Sequence, residues 1–333
     1  MKKLFRNCLT ASVLATSLAT LPAVAAPVGT ISNFTANLAG GSCSNPEGIA
    51  VDPLGNLYSA SDIDGATVGT VCVFNPSGSF SRAIPVPAGA GGLVALIGLA
   101  FHGAHTLFAC DAGDGTGTGR LLSIDTNSGA VTSLASGFAF PNGVAVDDHD
   151  NLYVSDSVAG TITRLWQDGS HRVVWSSDPL LSTTGFPPFG ANGLAFDGPS
   201  LNLYVANTGD SRVLRIPLRP NGSAGSVQIF ADGATINLNQ HTTEALHGAD
   251  GLALDLLGNV YLAANQANEI QVLSPAGTLI ARFGSTASVT LDFPASLVFK
   301  GNQVYFTNAS LFDGGVNSRL LVLQGLIPGL PLN

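Results

Sequence analysis

Apolar and polar residues alternate along this chain in short runs, and the runs recur as a phrase. Six times an apolar strand opens on a small residue, turns through Gly, Asn or Asp, and is followed by a second strand rich in Leu, Tyr and Val. The copies read PEGIAVDPLGNLYSASD from Pro46, LIGLAFHGAHTLFACD from Leu96, PNGVAVDDHDNLYVSD from Pro141, ANGLAFDGPSLNLYVAN from Ala191, ADGLALDLLGNVYLAAN from Ala249 and PASLVFKGNQVYFTN from Pro294. The third copy continues into two further runs, TITRLW from Thr161 and HRVVWS from His171. Period-two alternation with turn residues between predicts strands joined by hairpins, and no stretch carries a convincing helical period. From each repeat glycine to the next (Ser296 in the sixth copy) the steps are 50, 45, 50, 58 and 45 residues. Four strands per ~45–50 residues, repeated, predict an all-β fold: a six-bladed β-propeller with four-stranded blades.

The two ends predict how the ring closes. The sixth copy supplies only three strands, the third being RLLVLQGL from Arg319, while GTISNFTANL from Gly29 is a spare strand ahead of the first copy. Pairing that N-terminal strand onto the last blade completes it and covers an exposed edge. The short turns after each first strand, such as DPLGN and DDHDN, belong to one face, where Asp52, Asp147, Asp197 and Asp255 read as turn residues. On the other face lie two insertions, SSDPLLSTTGFPPFG from Ser176 and ADGATINLNQHTTEALHG from Ala231, whose length suggests lids or substrate walls.

The first residues read as a targeting segment and not as fold. Lys2, Lys3 and Arg6 precede an apolar stretch from Leu9 to Leu21, and Ala23-Val24-Ala25 forms a small-x-small cleavage site. Residues 1–25 are thus expected to be a signal peptide and 26–333 a single propeller domain, secreted or periplasmic. Cleavage removes three of 13 basic residues and none of 22 acidic ones, leaving a net charge of −12 and one lysine, Lys300. That balance excludes a basic phosphate-binding surface, so neither nucleic acid nor an anionic membrane is an expected partner. Cys43, Cys72 and Cys110 remain, enough for one disulfide and one thiol, with the pair left open.

The chemistry concentrates in the slot before each repeat glycine. It holds Glu47, Ile97, Asn142, Asn192, Asp250 and Ala295. On a closed six-bladed ring these slots converge at the mouth of the central channel. Two carboxylates and two amide carbonyls are hard oxygen donors with charge suited to a divalent cation, and the lack of His and Cys favours Ca²⁺ over zinc. Glu47 is one of three glutamates in the chain. Against this stands a plainer reading, that Asn-Gly and Asp-Gly are ordinary turn dipeptides.

Repeats and ordered slots together resemble the senescence marker protein/gluconolactonase/luciferin-regenerating family, with the strand phrase itself shared by NHL-type propellers in general. The resemblance implies one divalent metal, most simply Ca²⁺, held by Glu47 in the first blade, Asn142 and Asn192 in the third and fourth, and Asp250 in the fifth. Gluconolactonase-like members tend to carry an arginine two residues before the third-blade Asn, where this chain has Phe140. Paraoxonase-like relatives follow the fifth-blade Asp with Asn, where this chain has Gly251, and their second-blade histidine has no counterpart in Leu96-Ile97-Gly98. Sugar specificity is therefore not implied. Phe138, Phe140, Phe186 and Phe189 are candidates for an apolar substrate wall, and His247, three residues before Asp250, for an acid–base group.

The expected function is a metal-dependent hydrolase of a small-molecule lactone or ester, with Asp250 as the catalytic base and Phe140, Phe186, Phe189 and His247 beside the substrate. The alternatives are a non-catalytic NHL-type propeller serving as a binding or scaffold module, and a propeller lyase. Fold alone does not choose among them.

Overall fold

The structure, a computed structural model, describes residues 29–61, 65–325 and 327–331; the expected signal peptide lies outside them. Six four-stranded antiparallel sheets follow one another around a ring. Their innermost strands are Ile49–Val51, Leu96–His102, Pro141–Val146, Ala191–Phe196, Ala249–Leu254 and Pro294–Lys300. Neighbouring inner strands touch in succession, including the sixth against the first, so the ring is closed. The N-terminal strand Ile31–Asn33 pairs with Arg319–Gln324 and completes the last blade, as the spare strand predicts.

Burial is shared between blades instead of collected at one centre. Each of six apolar clusters fills the space between two consecutive blades; Tyr58, Val71 and Ile84 of blade one, for example, meet Leu99, Leu107 and Ile124 of blade two. A strand with neighbours on both faces has no solvent side, which is why second strands such as Leu57–Ser61 are buried throughout. The repeat's Tyr packs edge-on or tilted against a Phe near the end of the next inner strand, as in Tyr58–Phe101, Tyr153–Phe196 and Tyr261–Phe299, with ring centroids 5.3, 5.0 and 5.0 Å apart.

Two features were not legible beforehand. The insertion after Ala231 forms an α-helix, Gly233–Gln240, capped by the Asp232 side chain on the Thr235 N–H. Its apolar positions follow no clean helical period, and packing of Ile236 into the cluster between blades four and five supplies what periodicity does not. Cys43 and Cys72 form the disulfide, and Cys110 is a buried free thiol. Among the described residues, no helix is long and apolar enough to cross a membrane.

Contact between inner strands is what sets the ring's diameter. A Cβ on Gly48, Gly98, Gly143 or Gly193 would overlap the carbonyl oxygen of Ile97, Asn142, Asn192 or Asp250 in the next blade. At Gly143 the gap would be 2.5 Å. None of these glycines has a positive φ, so absence of a side chain, and not a turn conformation, is what the position demands. Each slot carbonyl therefore sits against the preceding blade's glycine. In the last step Ser296 replaces glycine, and Thr307 Oγ1 donates to the Glu47 carbonyl at 2.7 Å. Gly193→Ala is expected to cost about 1–3 kcal/mol through overpacking; urea unfolding midpoints equal to wild type would contradict this contact.

Candidate metal centre at the propeller axis

In blades two to six the pairing register slips where the slot falls, between Leu96 and Leu99, Pro141 and Val144, Ala191 and Leu194, Ala249 and Leu252, and Pro294 and Leu297. Such a bulge frees the slot residue from the ladder and re-aims its side chain. The slots of Asn142, Asn192 and Asp250 are thus strand bulges and not hairpin turns, which removes the plainer reading of their Asn-Gly and Asp-Gly pairs. The hairpin aspartates behave as predicted: Asp52 accepts from Asn56 and from Tyr58 Oη, and Asp147 from Asn151 and Tyr153 Oη.

Glu47, Asn142, Asn192 and Asp250 line one axial cavity of about 400 Å³. Besides the donors it is lined by the apolar Ile49, Val51, Val144, Leu194, Phe196 and Leu252, and by the polar Ser296 and Asp197. At the far face the C-terminal segment crosses the ring. Leu256 N–H donates to the Pro328 carbonyl at 2.9 Å, Leu330 N–H to that of Leu254 at 3.1 Å, and Leu330 and Pro331 line the cavity's end.

All four donors are buried, with 4–6% of their surface exposed. Glu47 Oε2 has no hydrogen-bond partner. Burial, and then the charge of Asp250, push the Glu47 carboxyl well above the usual carboxylate range. Burial raises Asp250 to about 7, against hydrogen bonds from Asn265 and Asn192 that favour its charged form. Two neighbouring carboxylates in a low-dielectric site, one with an unpartnered oxygen, lack the positive charge that would stabilise them. Together with two amide donors, that set fits a hard divalent cation.

The other predicted site residues are not brought to this cavity. Phe140 packs at a tilt against Phe189, with centroids 4.8 Å apart, and beside Ala95, Ile97 and Ala112, on the donor face. Phe186 is 83% exposed, and Phe138 is core between blades two and three, under the Arg172 guanidinium. His247 pairs at the surface with Glu244. A second acidic group, Asp147, Asp148 and His149, lies on the opposite face, where Asp147 is committed to its own turn. Sequence reasoning missed Asn265, whose Nδ2 donates to Asp250 Oδ2 at 2.8 Å, and Thr208, which accepts from Asn192 Nδ2 at 2.9 Å.

Fold and site define a six-bladed β-propeller with an oxygen-donor cluster on its axis. Residues 173–310 match the SMP-30/Gluconolactonase/LRE-like region, so the resemblance drawn from the slots is borne out there. The structure is similar to that of a calcium-binding protein, regucalcin, from Agrobacterium tumefaciens, at 16% identity and TM-score 0.62, over 85% of this chain and 91% of that one. It resembles a luciferin-regenerating enzyme at 16% identity and TM-score 0.63, over 86% and 94% of the two chains. A gluconolactonase from Xanthomonas campestris aligns at 17% identity and TM-score 0.58, over 85% of each chain. At such identities the likeness shows the fold. No curated protein sequence matches.

The Asp250 shift predicts a pH dependence. With its pKa raised from 3.8 to about 7, the folded protein keeps a proton that the unfolded chain has lost across that window. Stability of chelator-treated protein should therefore fall as pH rises from 5 to 8, with Glu47 acting in the same direction. Urea unfolding at the two pH values checks this, and Asp250→Asn should flatten the fall.

Proposed function

We propose that this protein is an exported, divalent-metal-dependent hydrolase that opens a lactone or related ester, with Ca²⁺ as the metal. One observation carries the reading: two buried carboxylates, one with an unpartnered oxygen, share an axial cavity with two amide donors. Glu47, Asn142, Asn192 and Asp250 would hold the cation. The match to the SMP-30/Gluconolactonase/LRE-like region over residues 173–310 supports the lactonase class. Export is supported by the basic start, apolar stretch and small-x-small site of residues 1–25. A small-molecule substrate is supported by the cavity's size, about 400 Å³, at the lower end of ordinary ligand sites.

When bound, a divalent cation polarises a carbonyl and offsets the negative charge that develops on its oxygen. The remaining work falls to the chain. Asp250 takes a proton from water as the water oxygen adds to the carbonyl carbon; the ester C–O bond then breaks and the departing oxygen takes that proton back from Asp250. Cation binding would hold the Asp250 carboxyl in its charged, proton-accepting form near neutrality. The apolar residues along the cavity, Ile49, Val144, Leu194 and Leu252, favour an apolar substituent over a polyol. Phe186 and His247 receive no role, the first being exposed and the second tied to Glu244.

A non-catalytic binding module is the second reading. It is supported by likeness to a chain of a nidogen/laminin complex, at 17% identity and TM-score 0.56, over 76% of this chain and 86% of that one.

The test is metal analysis of the purified protein, followed by a lactone and ester panel with and without chelator in oxygen-labelled water. Chelation should abolish turnover, and hydrolysis should place solvent oxygen in the product. Asp250→Asn should lose about 100-fold or more in rate without lowering the melting temperature of the metal-free protein. Full turnover in excess chelator would refute the reading, and calcium-dependent melting without hydrolysis would favour the binding module.

A further inference from the structure

The four donors do not stand alone. One residue past the second-strand position paired with the start of each inner strand, blades two to six carry Ala112, Ser157, Thr208, Asn265 and Ala309. Blades two and six, whose slots are Ile97 and Ala295, have alanine there. Blades three, four and five, whose slots are Asn142, Asn192 and Asp250, have a side chain able to hydrogen-bond. The second position thus follows the first in polarity around the ring.

Hydrogen-bond directions give this a physical meaning. Thr208 Oγ1 lies 2.7 Å from the Ala249 carbonyl, which only accepts, so the hydroxyl spends its one proton there. Toward Asn192 the same oxygen can only accept, and at 2.9 Å it must face the amide NH₂. That fixes the amide's orientation, with Nδ2 toward Thr208 and Oδ1 away from it. Ala249 immediately precedes Asp250, so the same hydroxyl also anchors the backbone that carries the next donor. Asn265 acts on that donor directly: its Nδ2 donates to Asp250 Oδ2 at 2.8 Å. Its Oδ1 is buried without a partner. Turning the amide over would put that oxygen against the carboxylate, two acceptors facing each other. Ser157 repeats part of the device, donating to the Ala191 carbonyl at 2.7 Å, immediately before Asn192.

We propose that Thr208 and Asn265 are positioning residues that hold the Asn192 amide and the Asp250 carboxylate oriented for a cation. The inference rests on the metal-dependent reading above. Asn192 presents its carbonyl oxygen, and not its NH₂, to the bound ion because Thr208 leaves it no other arrangement. Asp250 is held in its orientation by the Asn265 amide on Oδ2.

The experiment measures Ca²⁺ affinity of the full chain after chelator treatment, by calorimetry and by Tb³⁺ luminescence competition, beside melting of the metal-free protein. Thr208→Val keeps the shape and removes the hydroxyl; Thr208→Ser restores it. Thr208→Val and Asn265→Ala should each weaken Ca²⁺ binding about 10–100-fold, as loss of a group orienting a metal ligand does. Thr208→Ser should return to near wild type, and metal-free melting should move little. If wild type binds Ca²⁺ and both variants bind it within about twofold of wild type, against that expectation, the positioning role is overturned while the metal reading stands. If wild type binds neither Ca²⁺ nor Tb³⁺, the metal reading fails and takes this one with it. A loss of affinity accompanied by an equal loss in metal-free melting, not rescued by Thr208→Ser, would mark the residues as structural and overturn the proposal. Should Thr208→Val not fold, Asn265→Ala carries the same comparison.

Discussion

The closeness of the six inner strands is the constraint on which the rest of this molecule depends. A strand pair within a sheet is spaced by a ladder of hydrogen bonds, whereas from one blade to the next at the axis single side-chain bonds reach a backbone carbonyl, as from Ser157 to Ala191 and from Thr208 to Ala249. Here the spacing is set by carbonyl oxygens resting where glycine has no side chain, at Gly48, Gly98, Gly143 and Gly193. The oxygen and the donor side chain belong to the same residue in each of the last three contacts. Bringing the backbone in therefore brings the donor in with it. Ring diameter and site geometry are one quantity, and a methyl group at the axis would enlarge both.

Such a ring assembles a charge arrangement that no single blade would tolerate. Glu47 and Asp250 lie far apart in the chain, in blades one and five, and line the same axial cavity, both buried. Desolvation disfavours each charge, and each charge disfavours the other. The apolar clusters between blades supply the stabilisation that offsets this cost. Closure by Ile31–Asn33 on the last blade makes the arrangement cooperative, because the sixth blade contacts the first only in a completed circle.

The two faces are unequal. On the donor face lie the insertions, with their helix and the Phe140–Phe189 pair. On the opposite face the C-terminal segment bridges blades five and six, with Gly329 N–H on the Gly301 carbonyl and Leu330 N–H on that of Leu254. Leu330 reaches the turn of blade four as well, where a side chain on Gly198 would meet it at 3.1 Å. Behind the donors the cavity thus ends against the protein's own tail.

Read by itself, the sequence determined the blade number, the strand phrase, the closing strand, the face of the hairpin turns and the four slots. Repetition makes these legible, since a feature that returns every ~45–50 residues marks a repeated structural unit. Tertiary structure decided the partner of Cys43, the helix at Gly233–Gln240, the removal of Phe186 and His247 from the site, and the entry of Thr208 and Asn265 into it. Each of these depends on a contact between segments far apart in the chain, or on whether a loop folds inward or outward, and local pattern carries no record of either. The glycines show both sides. Their recurrence was plain from the start, but only the assembled ring revealed that they are there to admit a neighbour's carbonyl and not to turn the chain.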